Sequence, residues 1–422
     1  MIEAAVTEFY RHPHPLSLRG GVQHYSWGDF ESIPTLLGIE NRECKPYAEL
    51  WIGAHPDLPA EAKVGNVSIP LDKLIALAPE QMLGQEIAER FDLQLPFLLK
   101  ILAARQPLSI QVHPNKRQAR EGYAQENRLG IKLTESTRNY RDDNHKPELL
   151  CALTPFYALR GFRPLAEIAK ILCRFVELEP LCRVFEPTQA SLRALYTRIM
   201  RGAADEINAV LIPLVKRLQA ENIDQPFGQQ NWEYWFLRAD RIFSSERQKD
   251  RGLFSMFLLN LLRLEPGQAI YLPAGELHAY LQGTGVEIMA NSNNVLRGGL
   301  TPKHVDVDKL LEIVNFAAGR APVLTPDHAL SAAGCLEYTT PAREFQLSRL
   351  HVTNRSFLAI DAMHPVQFGV ITEGHVTVGI VDGNIFQFSA GQVYLIPQGL
   401  AYTLSTPSEA VVFQATVPAA KL

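Results

Sequence analysis

From Gly267 to Lys303 short apolar runs alternate with turn residues. Pro266 and Gly267 open a turn, Ala269 to Leu272 read as a strand, and Pro273 with Gly275 reverses the chain just before His278. The same arrangement (Gly, five residues, Pro, one residue, Gly, two residues) returns at Gly391 to Tyr402, with Tyr402 in the place of His278. A repeated unit predicts two related β units, the first with an imidazole in its interior and the second without one. Upstream, Phe97 to Ala103 is a nearly continuous apolar run, as a buried strand requires, broken by Lys100. A buried ammonium is costly unless it meets an anion. Next, Leu108, Ile110 and Val112 alternate with Ser109, Gln111 and His113, and Pro114 ends the run. That polar face either meets water on an edge strand or lines an interior. Pro147 biases Lys146 to an extended conformation, and Glu148 opens an apolar strand through Leu149, Leu150 and Ala152.

Elsewhere the period changes. Leu71 to Phe91 fits a short helix or helix pair broken at Pro79, and Asn115 to Tyr140 is a charged helix-loop segment. Helical spacing then governs Phe162 to about Asn260: Ile168, Ile171, Leu172 and Phe175; Leu192, Leu195, Tyr196 and Ile199; Ile207, Val210, Leu211, Leu214, Val215 and Leu218. Trp232, Trp235 and Phe236 would dock these helices, while Trp27 and Trp51 suit core or cavity wall. Val305 to Val314 reads as one more helix, Ala317 to Thr325 as a linker, and Glu337 to Val417 as the short strands of a small jelly roll. The predicted fold is mainly β with an inserted α-helical domain and two cupin-like jelly-roll barrels. Its expected parts are 1–160 and 259–325 as the catalytic barrel, 161–258 as the helical insertion, and 326–422 as a second barrel without metal ligands.

Composition narrows the function. The 422 residues include 41 Lys plus Arg against 45 Asp plus Glu, a net charge of -4. That balance gives no broad basic face for nucleic acid or anionic lipid, so an anionic ligand needs locally placed cations. Five cysteines without C-x-x-C spacing argue against a disulfide framework and against a thiolate metal site, and are expected to be reduced. No run approaches the ~20 apolar residues of a membrane span, and the start of the chain has no leader pattern. A cytoplasmic monomer is expected.

The turn before His278 resembles the second motif of the cupin barrels, in which the histidine points inward to a metal. With Gln111, His113 and Glu148 it makes two imidazoles, one carboxylate and one amide oxygen. A set of this kind suits Zn²⁺ in an open working site, with Mn²⁺, Fe²⁺ or Co²⁺ as substitutes.

The segments LSIQVHPNK, NHKPEL, AGELHAY, MANSNNVLRGGLTPK and AELWIGAHP together resemble the type I mannose-6-phosphate isomerases, across nearly the whole chain. The resemblance implies one Zn²⁺ per chain on Gln111, His113, Glu148 and His278, interconversion of mannose 6-phosphate and fructose 6-phosphate, and Arg297 as the catalytic arginine. An aldose-ketose exchange through a cis-enediol needs a base and a stabiliser of negative charge on two oxygens. Lys146, Glu287 and His145 are candidates for the base, and Ser109 and Lys100 for the phosphate end. One departure stands out: the family commonly has Ser-Asp-Asn before Val-Leu-Arg, whereas here Ser292, Asn293 and Asn294 occur. That change keeps a non-catalytic sugar-phosphate-binding cupin in view. A metal-dependent cupin oxygenase is the other rival, disfavoured by Gln111 and by the cations Lys100, Lys146 and Arg297.

Overall fold

The structure is a computed structural model that describes residues 2–328, 334–355 and 358–419. Residues 329–333, 356–357 and 420–422 of the expected second barrel lie outside the described residues. Among the described residues, helices combine with three sheets of nine, ten and four strands.

The ten-stranded sheet is built on one long strand, His278–Ala290. Its first half pairs antiparallel with Phe156–Phe162 and meets Gln111–Val112 at His278; its second half pairs with Phe97–Ala104 and Glu148–Ala152. The partners change around Gly283, whose φ of 131° suits glycine and where a Cβ would come within 2.6 Å of the Phe156 ring. Register shifts between Tyr280 and Gln282, as at a bulge. One strand thereby reaches the segments that carry Gln111, Glu148 and Lys100.

The expected strands at Phe97, Glu148 and Ala269 form, and every residue of Phe97–Ala104 is buried. The alternating run at 108–113 is strand only at Gln111–Val112. Ile110 and Val112 pack with the helices, whereas Leu108 joins a separate apolar cluster with Leu150 and Tyr280. Leu71 to Phe91 divides into three helices, Leu71–Leu77, Pro79–Leu83 and Gln85–Arg90, because Gly84 with φ 97° adds a second break to Pro79.

Both copies of the repeated turn use the same backbone. Gly267 and Gly391 have φ of 88° and 83°, and Gly275 and Gly399 have 80° and 78°. Each pair brackets a strand, Ala269–Leu272 or Val393–Ile396, and His278 and Tyr402 each begin the next one.

The helices Leu165–Arg174, Gln189–Arg201, Ala204–Asp224 and Trp232–Phe243 share one core with Ile110, Val112, Leu159, Ala279 and Leu281. Since Ala279 and Leu281 face the helices, alternation turns His278 and Tyr280 to the other side of the sheet. The expectation of reduced cysteines fails here: Cys173 and Cys182 form a disulfide, while Cys44, Cys151 and Cys335 are free. The chain folds back between Leu165–Arg174 and Glu179–Cys182, which brings the two Cα atoms to 5.3 Å, within bridging distance.

The nine-stranded sheet joins the two ends of the chain. Leu16–Arg19 pairs with Val393–Ile396 on one side and Glu61–Val64 on the other, and Glu61–Val64 pairs with Val67–Pro70. A shared core lies between this sheet and the ten-stranded one, with Phe97 packed edge-on against Phe368 at 5.4 Å. The N-terminal strands therefore close the C-terminal β unit.

Candidate metal and phosphosugar site

His113, Glu148 and His278 are buried, and their ligand atoms lie within 4.8 Å of one another. His113 Nδ1 stands 2.7 Å from the Asn294 carbonyl and His278 Nδ1 2.9 Å from that of Glu276. A carbonyl only accepts, so each Nδ1 carries the proton and each Nε2 is left with a lone pair. Both Nε2 atoms point to Glu148, at 3.4 Å from its two oxygens. His113 Nε2 has no hydrogen-bond partner despite full burial. Two lone pairs and a carboxylate turned to one point fit a divalent cation of the zinc type.

Electrostatics agree. Burial, opposed by Glu148, pushes the His113 imidazole down to about 4, so the ring is neutral at pH 7. Burial alone would raise the Glu148 carboxyl, but the Lys146 ammonium beside it holds it well below the usual range. Lys146 Nζ is 3.0 Å from Glu148 Oε1.

Gln111 lies directly across from His278 on one side and from Arg297 on the other. Residues opposite one another in antiparallel strands share a face, so Gln111 is placed with His278 and Arg297. Ser109 is half-buried just before this strand.

A buried charge cluster spans three neighbouring strands, Glu49–Gly53, Phe97–Ala104 and His278–Ala290. Lys100 Nζ is 3.0 Å from Glu287 and 3.6 Å from Glu49; Tyr280 donates to Glu287 Oε1 at 2.9 Å and the Trp51 indole to Glu49 at 2.6 Å. Burial favours the neutral forms, yet the two carboxylates raise the Lys100 pKa. Burial raises that of Glu287, with Lys100 pulling it back and Glu148 and Glu49 adding to it. The anion that Lys100 required is thus supplied from within the protein. His145, half-buried, is 2.7 Å from Glu344 of the C-terminal part.

Sequence reasoning missed two features. Asn294, fully buried, accepts from the Arg141 and Asp142 backbone N–H groups and donates to the Asp142 and Asn144 carbonyls, while its own carbonyl orients His113. The other is a cationic rim. Half-buried Arg297 is lowered in pKa by burial and by Arg141, and Lys303 by burial, Arg297 and Arg141. The motif containing Asn294, Arg297 and Lys303 was visible, but nothing in its spacing brings Arg141 to it.

The family model described as phosphomannose isomerase type I, catalytic domain, matches residues 16–165. The mannose-6-phosphate isomerase of Escherichia coli is 40% identical over 336 residues, covering 78% of this chain and 82% of the relative. That of Emericella nidulans is 32% identical, covering 90% and 92%. Among solved structures, mannose 6-phosphate isomerase from Salmonella typhimurium bound to fructose 6-phosphate and zinc superposes with a TM-score of 0.84 at 32% identity, covering 96% of this chain and all of the other. A zinc-bound mannose 6-phosphate isomerase structure gives the same TM-score at 31% identity. With ligand atoms converged as such a metal requires and relatives matched over most of their length, the chain belongs to the mannose-6-phosphate isomerase family.

Proposed function

We propose that the protein is a zinc-dependent isomerase that interconverts mannose 6-phosphate and fructose 6-phosphate. The convergence of His113, Glu148 and His278 on one buried point carries this reading. Gln111 completes the ligand set from its place opposite His278. Zinc, when bound, supplies a Lewis acid that polarises and orients the sugar oxygens at C1 and C2.

The chain's own groups divide the remaining work. Of the three candidates for the base, Lys146 touches the ligand cluster, whereas Glu287 is engaged by Lys100 and Tyr280 and His145 by Glu344. The base role falls to Lys146 as the candidate beside the metal ligands: its ammonium, paired with Glu148 in this structure, must first give up a proton, and the amine then moves the proton between C1 and C2 through a cis-enediol. Arg297, in register with Gln111, stabilises the enediolate and keeps its own proton throughout. The phosphate falls to Lys303 and Arg141 at the rim, with Ser109 as a hydroxyl donor. Lys100, expected at the phosphate, instead holds Glu287 and Glu49 in place, since its charge is already matched.

The architecture follows the same reading: two cupin-like jelly rolls, with residues 161–258 as a helical insertion in the first. Tyr402, at the place of His278, donates to Gln367 and accepts from Gln414, which fills the second interior. Among the described residues no helix is long and apolar enough to cross a membrane. A coupled assay detecting fructose 6-phosphate formed from mannose 6-phosphate tests the function. Turnover is expected; phosphosugar binding without turnover would favour a non-catalytic binding protein.

A further inference from the structure

A side-chain hydrogen bond links two loops beside the site: Asn293 Nδ2 donates to Asp57 Oδ2 at 2.9 Å. On one side the backbone is fixed. Asn293 N and Ser292 Oγ both donate to the Asp142 carboxylate at 2.7 Å, and the neighbouring Asn294 carbonyl orients His113. On the other side the Asp57 N–H donates to His55 Nδ1 at 3.2 Å, and the buried His55 ring packs edge-on to Trp51 at 4.9 Å. Trp51 in turn holds Glu49, the partner of Lys100.

Donor count dictates what this pair can be. An amide can donate to a carboxylate; two carboxylates at the same places have no hydrogen to share and repel. With Asp57 opposite, a donor at 293 completes the pair, whereas an Asp there would face a like charge. We propose that Asp57 and Asn293 are a positioning pair, an amide facing a carboxylate across the rim. The bond ties the 291–294 loop, and with it His113, to the wall of Trp51. It also keeps a third carboxylate away from an edge that already holds Asp57 and Asp142, which bears on the binding of an anionic sugar phosphate. This inference rests on the isomerase reading for its kinetic consequence alone.

The test compares Asn293→Asp, Asp57→Asn and the double variant in the zinc-loaded full chain. Asn293→Asp should raise KM for mannose 6-phosphate several-fold with a smaller change in kcat, and lower the thermal midpoint. The double variant, again an amide facing a carboxylate, should return both toward wild type. Added salt should narrow the Asn293→Asp defect, because the repelling groups are partly exposed. Wild-type KM and midpoint in Asn293→Asp, a double variant no better than that single one, or a defect indifferent to salt would each overturn the proposal. If the wild type showed no turnover, the isomerase reading would fall, while the midpoints of the four proteins would still decide the pair.

Discussion

His278 and Tyr402 begin the equivalent strand in two copies of one turn, each preceded by a pair of left-handed glycines whose φ angles agree within 5° between the copies. The first side chain turns to a carboxylate and a second imidazole; the second is enclosed by Gln367 and Gln414 at 2.6 and 2.7 Å. One turn geometry thus presents a member of the buried His/Glu/His cluster in one copy and a hydrogen-bonded, buried tyrosine in the other.

Tyr402→Phe should therefore act on stability alone. It leaves two buried amide groups without their partner, at a cost of about 1–3 kcal/mol. Denaturant unfolding should show that loss with kcat/KM unchanged. A loss of turnover without a loss of stability would contradict the assignment.

Asn294→Ala should weaken metal binding without removing a ligand. It frees the Asp142 to Asn144 segment and loosens the carbonyl that fixes the His113 tautomer. Loss of such outer support lowers affinity roughly 10–100-fold. Competition with a chromogenic zinc chelator measures it directly.

Arg297 and Lys303 should separate in kinetics. Arg297→Lys keeps the charge but loses the planar fork, so kcat should fall roughly a hundredfold. Lys303→Ala removes binding common to ground and transition states, so KM should rise with kcat little changed. Equal effects of both changes on kcat would dissolve the proposed division between enediolate and phosphate.

Metal-free protein should lose stability in mild acid. The His113 pKa is about 4 in the folded chain, against about 6.5 unfolded, and burial lowers His55 in the same direction. A depressed folded pKa means that the unfolded chain binds more protons below about 6.5, so stability present above that pH declines as pH falls toward 4. For His113 alone the gap is worth about 3 kcal/mol. Urea unfolding of chelator-treated protein at pH 7.5 and pH 5 should show the decline, and equal midpoints would contradict it.

Much of this was legible because Pro and Gly punctuate the strands. Pro147 before Glu148, Pro114 after His113 and the Gly267 turn mark where the ligand-bearing strands start and stop, and alternation separates Gln111 from Val112. What alternation cannot supply is the partner. It shows that Lys100 is buried but not that Glu287 and Glu49 neutralise it, since register across strands 187 residues apart is a tertiary outcome. The same holds for Leu16–Arg19, whose partner Val393–Ile396 lies at the other end of the chain. Loop residues such as Arg141 and Lys303 have no period at all, and the Cys173–Cys182 bridge depends on a fold-back between two helices.

The direct test of the central claim is zinc content measured alongside activity as metal is withdrawn with a chelator. About one zinc per chain, turnover that falls in proportion as zinc leaves and returns on its addition, and neither zinc nor turnover in His278→Ala are the results predicted. Full isomerase activity in the metal-free protein would contradict the account.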